Sequence, residues 1–116
     1  DAMTRRTIKA GKAGMTLADL EARSSEVTAV LKTLAHPMRL LLACSLVEAE
    51  YSVGELETKL GYHQPNLSQQ LHVLRVSGIV ETRREGKQIW YRLTQEKAAR
   101  LIEAVFAIYC TPQREP

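Results

Sequence analysis

The stretch HQPNLSQQLHVLRVSG, residues 63–78, gathers amides, hydroxyls and an imidazole at helical spacing. On a helical wheel Leu67, Leu71 and Leu74 fall together, whereas Ser68, Gln69, His72 and Val76 face away. Gln64 and Asn66 sit at the N-terminal tip of this predicted helix. Short uncharged groups that both donate and accept are what reading base edges in a major groove requires. A solvated polar face is the plainer alternative, but Lys and Glu, the usual solvating residues, are missing from residues 63–74. A basic hairpin follows directly, ETRREGKQIWYRL, with Arg83, Arg84 and Lys87 near its tip. Those cations suit the phosphate backbone, where they would add affinity and salt dependence rather than sequence choice. A third chemistry lies in the two cysteines, Cys44 and Cys110. They are too sparse for the disulfide framework of a secreted domain. Either Cys44 is a small buried hydrophobe and Cys110 an incidental thiol, or the two form a reactive pair.

Composition bounds these readings. The 116 residues make one domain's worth of chain, 45% hydrophobic, with a net charge of +3 and a pI near 9.0. That positive excess is compatible with nucleic acid without demanding it. No apolar run approaches the roughly 20 residues that span a bilayer. The start, DAMTRRTIKAGKAG, is basic but lacks the apolar core of a secretion signal. A cytoplasmic protein with no membrane partner is therefore expected. The histidines and cysteines fall on separate elements, and no carboxylate pair or phosphate-cradling glycine loop is present, so an enzyme is not expected.

The elements that must position these residues can be read in order. Residues 1–15 mix Gly, Lys and Arg without period and predict a flexible basic arm. Thr16 and Asp19 form a capping box before a first helix carrying Leu17, Leu20, Val27, Val30, Leu31 and Leu34. His36-Pro37 breaks it, and Met38 to Val47 restarts as an apolar, buried helix. Ser52-Val53-Gly54-Glu55 is a second capping box, opening a helix to Leu60 that Gly61 stops. The reading helix spans His63 to Val76, with Pro65 in its first turn. Ile79 to Arg84 and Gln88 to Leu93 predict two strands joined at Glu85-Gly86-Lys87. Along the second strand, Ile89 and Tyr91 alternate with Trp90 and Arg92, so one face packs and the other is polar. Thr94 is the expected N-cap of a last helix, Gln95 to about Tyr109, and residues 111–116 form a tail. The fold class is mainly α with a small β-hairpin wing (α+β), a winged helix-turn-helix over residues 16–110.

With these elements in place, LKTLAHPMRLLLACSL, SVGELETKLGYHQPNLSQQLHVLRVSGIVETRREGKQIWYRL and the last helix together resemble the ArsR/SmtB repressors over roughly residues 25–110. The resemblance implies a homodimer through the first and last helices, with paired reading helices entering successive major grooves of double-stranded operator DNA. The residues support the dimer independently. Leu101, Ile102, Val105, Phe106, Ile108 and Tyr109 make a stripe too broad for one small domain to cover, which a twofold interface would bury.

The sequence departs from the metal-sensing members of that family. Where they carry C-x-C before the reading helix, this chain reads SVGELETKL, and its last helix, EKAARLIEAVFAIYC, has no His. No metal and no cofactor are expected. The Cys44 and Cys110 pair instead resembles the family's dithiol branch, which responds to reactive sulfur species such as persulfides. By that resemblance the reduced dimer represses sulfide-detoxification genes, and linking Cys44 to Cys110 releases the operator. A direct disulfide needs Cα atoms roughly 4.4 to 6.8 Å apart, and inserted sulfur atoms, each adding about 2 Å, would span more. The alternatives are a general peroxide or thiol-redox repressor, a thiolate metal sensor, and, outside this class, a winged helix that docks protein rather than DNA.

Overall fold

Thr16 fixes where the first helix begins. In the structure, a computed structural model that describes residues 16–110, the Asp19 N–H donates to Thr16 Oγ1 at 3.1 Å and the Thr16 N–H donates to Asp19 Oδ2 at 3.0 Å. This reciprocal box opens α1 (Leu17–Leu34), and its hydrogen bonds hold the Asp19 carboxyl below its ordinary pKa. The expected arm, residues 1–15, and tail, residues 111–116, lie outside the described residues. The chain divides into two compact units, residues 1–32 and residues 33–116. All elements after α1 belong to the second.

Pro37 ends one helix and starts the next. His36 is extended (φ −157°) ahead of the proline, and its Nδ1 caps α2 (Pro37–Glu48) by accepting from the Met38 N–H at 3.1 Å. Leu42, Ala43, Ser45 and Leu46 of α2 are buried, the Ser45 hydroxyl satisfied by donating to Leu41 O at 3.1 Å. After β1 (Tyr51–Ser52) the second capping box closes as expected. The Glu55 N–H donates to Ser52 Oγ at 3.2 Å and the Ser52 N–H to Glu55 Oε1 at 3.1 Å, opening α3 (Val53–Leu60). Gly61 stops α3 in the left-handed region, φ 77°, with its N–H on Glu57 O at 2.8 Å. Next come α4 (Gln64–Val76), β2 (Val80–Glu85), β3 (Gln88–Leu93) and α5 (Glu96–Tyr109).

The sheet is antiparallel in the order β1-β3-β2. Its central register pairs Arg83 with Trp90 and Thr82 with Tyr91, and on the far side Tyr51 and Ser52 pair with Tyr91 and Trp90. A two-residue connection, Gly86-Lys87, joins β2 to β3, and Gly86 takes the left-handed φ of 65° that such a turn needs. The core of this unit is made by Leu42, Leu56, Leu67, Leu71, Leu74, Ile79 and Ile102, all fully buried.

Three expectations shift. β1 is not anticipated by alternation, because two residues are too few to show a period. Ile79 precedes its strand instead of opening it: its N–H is tied back to Leu74 O at 3.1 Å, so the ladder begins at Val80. Thr94 is not the cap of α5. Its hydroxyl donates to Ile79 O at 3.3 Å, and Gln95 takes the N-cap position without a side-chain bond.

Candidate nucleic-acid interface and thiol pair

The reading helix is anchored by three leucines. Leu67, Leu71 and Leu74 of α4 are fully buried, and the helix packs on α2, α3 and β2. This leaves Ser68, Gln69 and His72 exposed on the side that the helical wheel turns away from the leucines, with Gln64 and Asn66 exposed at the N-terminal tip. Arg75 extends the same side, one turn beyond His72, and its Nη2 donates to His72 Nδ1 at 3.3 Å. The sequence reading missed Arg75, although the spacing Ser68, His72, Arg75 already placed it there. Val76 is 69% exposed, so the helix ends on an uncovered apolar group.

The wing tip comes to the start of α4. Gln64, Ser68, Lys87, Gln88 and Ile89 line an open groove of about 370 Å³, together with Ser52, Val53 and Gly54 at the start of α3. One concavity thus holds the first turn of the reading helix, a wing cation and the first turn of the preceding helix, the arrangement that admits a phosphate backbone beside a groove.

The wing cations differ in their surroundings. Side chains alternate across a strand, so Glu81, Arg83 and Glu85 share one face with Arg92, Trp90 and Gln88. On that face Arg83 is engaged. It donates Nη2 to Glu50 Oε1 at 2.9 Å, Nε to Glu50 Oε2 at 3.0 Å and Nη1 to Glu85 Oε1 at 3.2 Å, and its guanidinium lies 5.6 Å from the centre of the Trp90 ring. The Arg83 hydrogen bonds hold the Glu50 carboxyl below its ordinary pKa, and the same bonds raise that of Arg83. Arg92 pairs with Glu81, donating Nε to Oε2 at 2.7 Å. Arg84 lies on the opposite face, with Thr82.

The two thiols sit on packed helices. Cys44 is half-buried on α2, Cys110 is exposed at the end of α5, both are unbridged, and α2 packs against α5. Burial pushes the Cys44 thiol up to about 11, and the charges of Cys110 and then Glu48 push in the same direction. Of the stripe on α5, Ile102 belongs to the chain's own core, Leu101, Val105 and Phe106 are half-buried, and Ile108 and Tyr109 are 72% and 81% exposed. No single helix among the described residues is long and apolar enough to cross a membrane. No group of three or more His, Cys, Asp or Glu among them is placed to hold a metal.

A capped helix, a glycine turn, a second, outward-facing helix and then a β-hairpin that β1 extends to three strands define a winged helix-turn-helix regulator that binds DNA. Residues 36–82 match the family described as "Bacterial regulatory protein, arsR family". The chain is 65% identical over 94 residues to the "Biofilm growth-associated repressor" of Agrobacterium fabrum, covering 81% of this chain and 80% of that one. The crystal structure of the transcriptional repressor BigR from Xylella fastidiosa superposes with a TM-score of 0.81 at 61% identity, covering 84% of this chain and 100% of that one. A solution structure from Mycobacterium bovis, described as a homodimeric winged helix-turn-helix DNA-binding domain, has a TM-score of 0.67 at 33% identity, covering 84% of this chain and 90% of that one. The chain belongs to the arsR family of bacterial transcription regulators.

Proposed function

We propose that this chain is a homodimeric repressor that binds double-stranded operator DNA when its thiols are free and releases it when reactive sulfur species link Cys44 to Cys110. The genes it controls, on this reading, are those of sulfide detoxification. Relatives named as repressors and a neighbour described as homodimeric support the first half. In the DNA complex Gln64, Asn66, Ser68, Gln69 and His72 read base edges, and Arg84 and Lys87 meet phosphate. The observation that supports the second half is that Cys44 and the exposed Cys110 lie on, and at the end of, two helices that pack against each other.

The asymmetry of the pair sets the order of events. Cys110 is exposed and reacts first, whereas Cys44, with its pKa near 11, is a protonated thiol at neutral pH. A persulfide RSSH hands its outer sulfur to a cysteine and leaves as RSH. Two cysteine persulfides then condense, expel H₂S and leave a bridge one sulfur longer than a disulfide. Hydrogen peroxide, by contrast, oxidises two thiols to a plain disulfide and leaves as water. The test is intact mass with thiol alkylation, alongside DNA binding, after separate treatment with a persulfide donor and with peroxide. Loss of both free thiols with gain of whole sulfur atoms, and loss of DNA binding, in the persulfide sample alone is the expected result. A plain disulfide from both oxidants makes the pair a general redox sensor, and retention of DNA binding by a linked pair removes the switch altogether.

A further inference from the structure

Helix α2 carries Cys44, and a side-chain bridge leaves each of its ends for a DNA-contacting element. Near its start, Arg39 donates Nε to Thr33 O at 2.6 Å and Nη1 to Gln70 Oε1 on α4 at 2.8 Å. Just past its end, Glu50 grips Arg83 of β2 through two guanidinium nitrogens, at 2.9 and 3.0 Å. We propose that these two bridges make α2 the common mount of the reading helix and the wing, so that Arg39 and Arg83 are positioning residues in DNA recognition and Arg83 is not a phosphate contact.

Geometry and charge argue the point for Arg83. Its guanidinium is hydrogen-bonded on both sides by carboxylates and lies over the Trp90 ring. An isolated exposed ion pair contributes little, but a planar fork held bidentately over an indole is the arrangement in which a surface arginine fixes a position. The face as a whole is also unsuited to a polyanion. Glu50, Glu81 and Glu85 stand there against Arg83 and Arg92, three carboxylates to two guanidiniums. Turning Arg83 toward phosphate would leave Glu50 and Glu85 unpaired beside it. Arg39 is part-buried, and its two acceptors already tie the end of α1 to the reading helix, one residue after Gln69.

Removing the Glu50 carboxylate separates positioning from simple electrostatics by sign. The probe is a duplex enriched by the wild-type protein from a random-sequence library, titrated with reduced protein by fluorescence anisotropy at several salt concentrations. If Arg83 is a positioning residue, Glu50→Gln and Arg83→Lys each raise Kd by about three- to tenfold and leave the salt slope unchanged. If Arg83 is a phosphate contact masked by Glu50, Glu50→Gln tightens binding and steepens the slope by about one charge, and Arg83→Lys binds as wild type. Tighter binding by Glu50→Gln, or wild-type binding by Arg83→Lys, overturns the proposal. For the other bridge, Arg39→Met and Gln70→Met should each weaken binding, and the double variant should be no weaker than the worse single. Fully additive losses would mean that the two side chains act independently and that the bridge does no coupling. Arg39→Lys, which keeps the charge and loses the fork, repeats the test without a buried apolar replacement. None of these measurements depends on sulfur chemistry, so the switch and the mount fail separately.

Discussion

The two cysteines are chemically unequal because one is packed and the other is not. Cys44 sits on a helix whose neighbours exclude water, and burial, with the charges of Cys110 and Glu48, lifts its pKa to about 11. At pH 8 roughly a thousandth of such thiols are ionised. In a Cys110→Ser variant, burial, the leading cause, persists, so the alkylation rate of Cys44 should stay near baseline at pH 8 and climb only above about pH 10. A profile that plateaus near the ordinary thiol pKa of about 8.5 would show that Cys44 is open to solvent and would remove the ordered mechanism. The sign for stability follows. A thiol pKa raised by folding favours the folded state below the ordinary thiol pKa, and that contribution is lost as pH rises through about 11. Two thiols, with Cys44 the more sheltered because it follows an apolar run, are legible in the sequence. The packing of α5 on α2 is not, because it joins residues far apart in the chain.

At the scale of elements, legibility follows the range of the interaction that makes each element. The boxes at Thr16 and Ser52 join residues three apart, so residue types alone reveal them. The same holds for the leucines of α4, whose spacing is the helix's own period. β1 exists only because Tyr51 and Ser52 find Tyr91 and Trp90 far along the chain. The bridges Arg39–Gln70 and Glu50–Arg83 span 31 and 33 residues, beyond any local pattern. Arg83 therefore reads in sequence as one more wing cation, and only the fold shows two carboxylates around it. The Ser52 box tests how firmly α3 is set. Ser52→Ala should cost about 1 kcal/mol of stability, read as a lowered urea midpoint with unchanged slope. A smaller loss would mean that β1 pairing and the burial of Leu56 hold the start of α3 without the cap.

At the scale of the whole molecule, the apolar residues left outside are the informative ones. α5 contributes Ala98 and Ile102 to the chain's own core but leaves Ile108 and Tyr109 at 72% and 81% exposed. α1 leaves Leu17 70%, Val27 47% and Leu31 50% exposed. A chain that buries its leucines as fully as α4 does has no local reason to leave these open, and a twofold partner, as in the neighbour described as homodimeric, is the economical cover. Placing a charge in that stripe should split the dimer without touching the core. Ile108→Glu should sediment as a monomer at micromolar concentration with unchanged circular dichroism. Because two linked half-sites bind far more tightly than one, affinity for the selected duplex should fall by roughly 10²–10⁴-fold. Cys110 follows Phe106 of the stripe by four residues, on the same side of α5, so a surface that covers the stripe also comes beside this exposed thiol. Alkylation of Cys110 should then be faster in the monomeric variant than in the wild type. A variant that stays dimeric and binds as before would place the interface elsewhere.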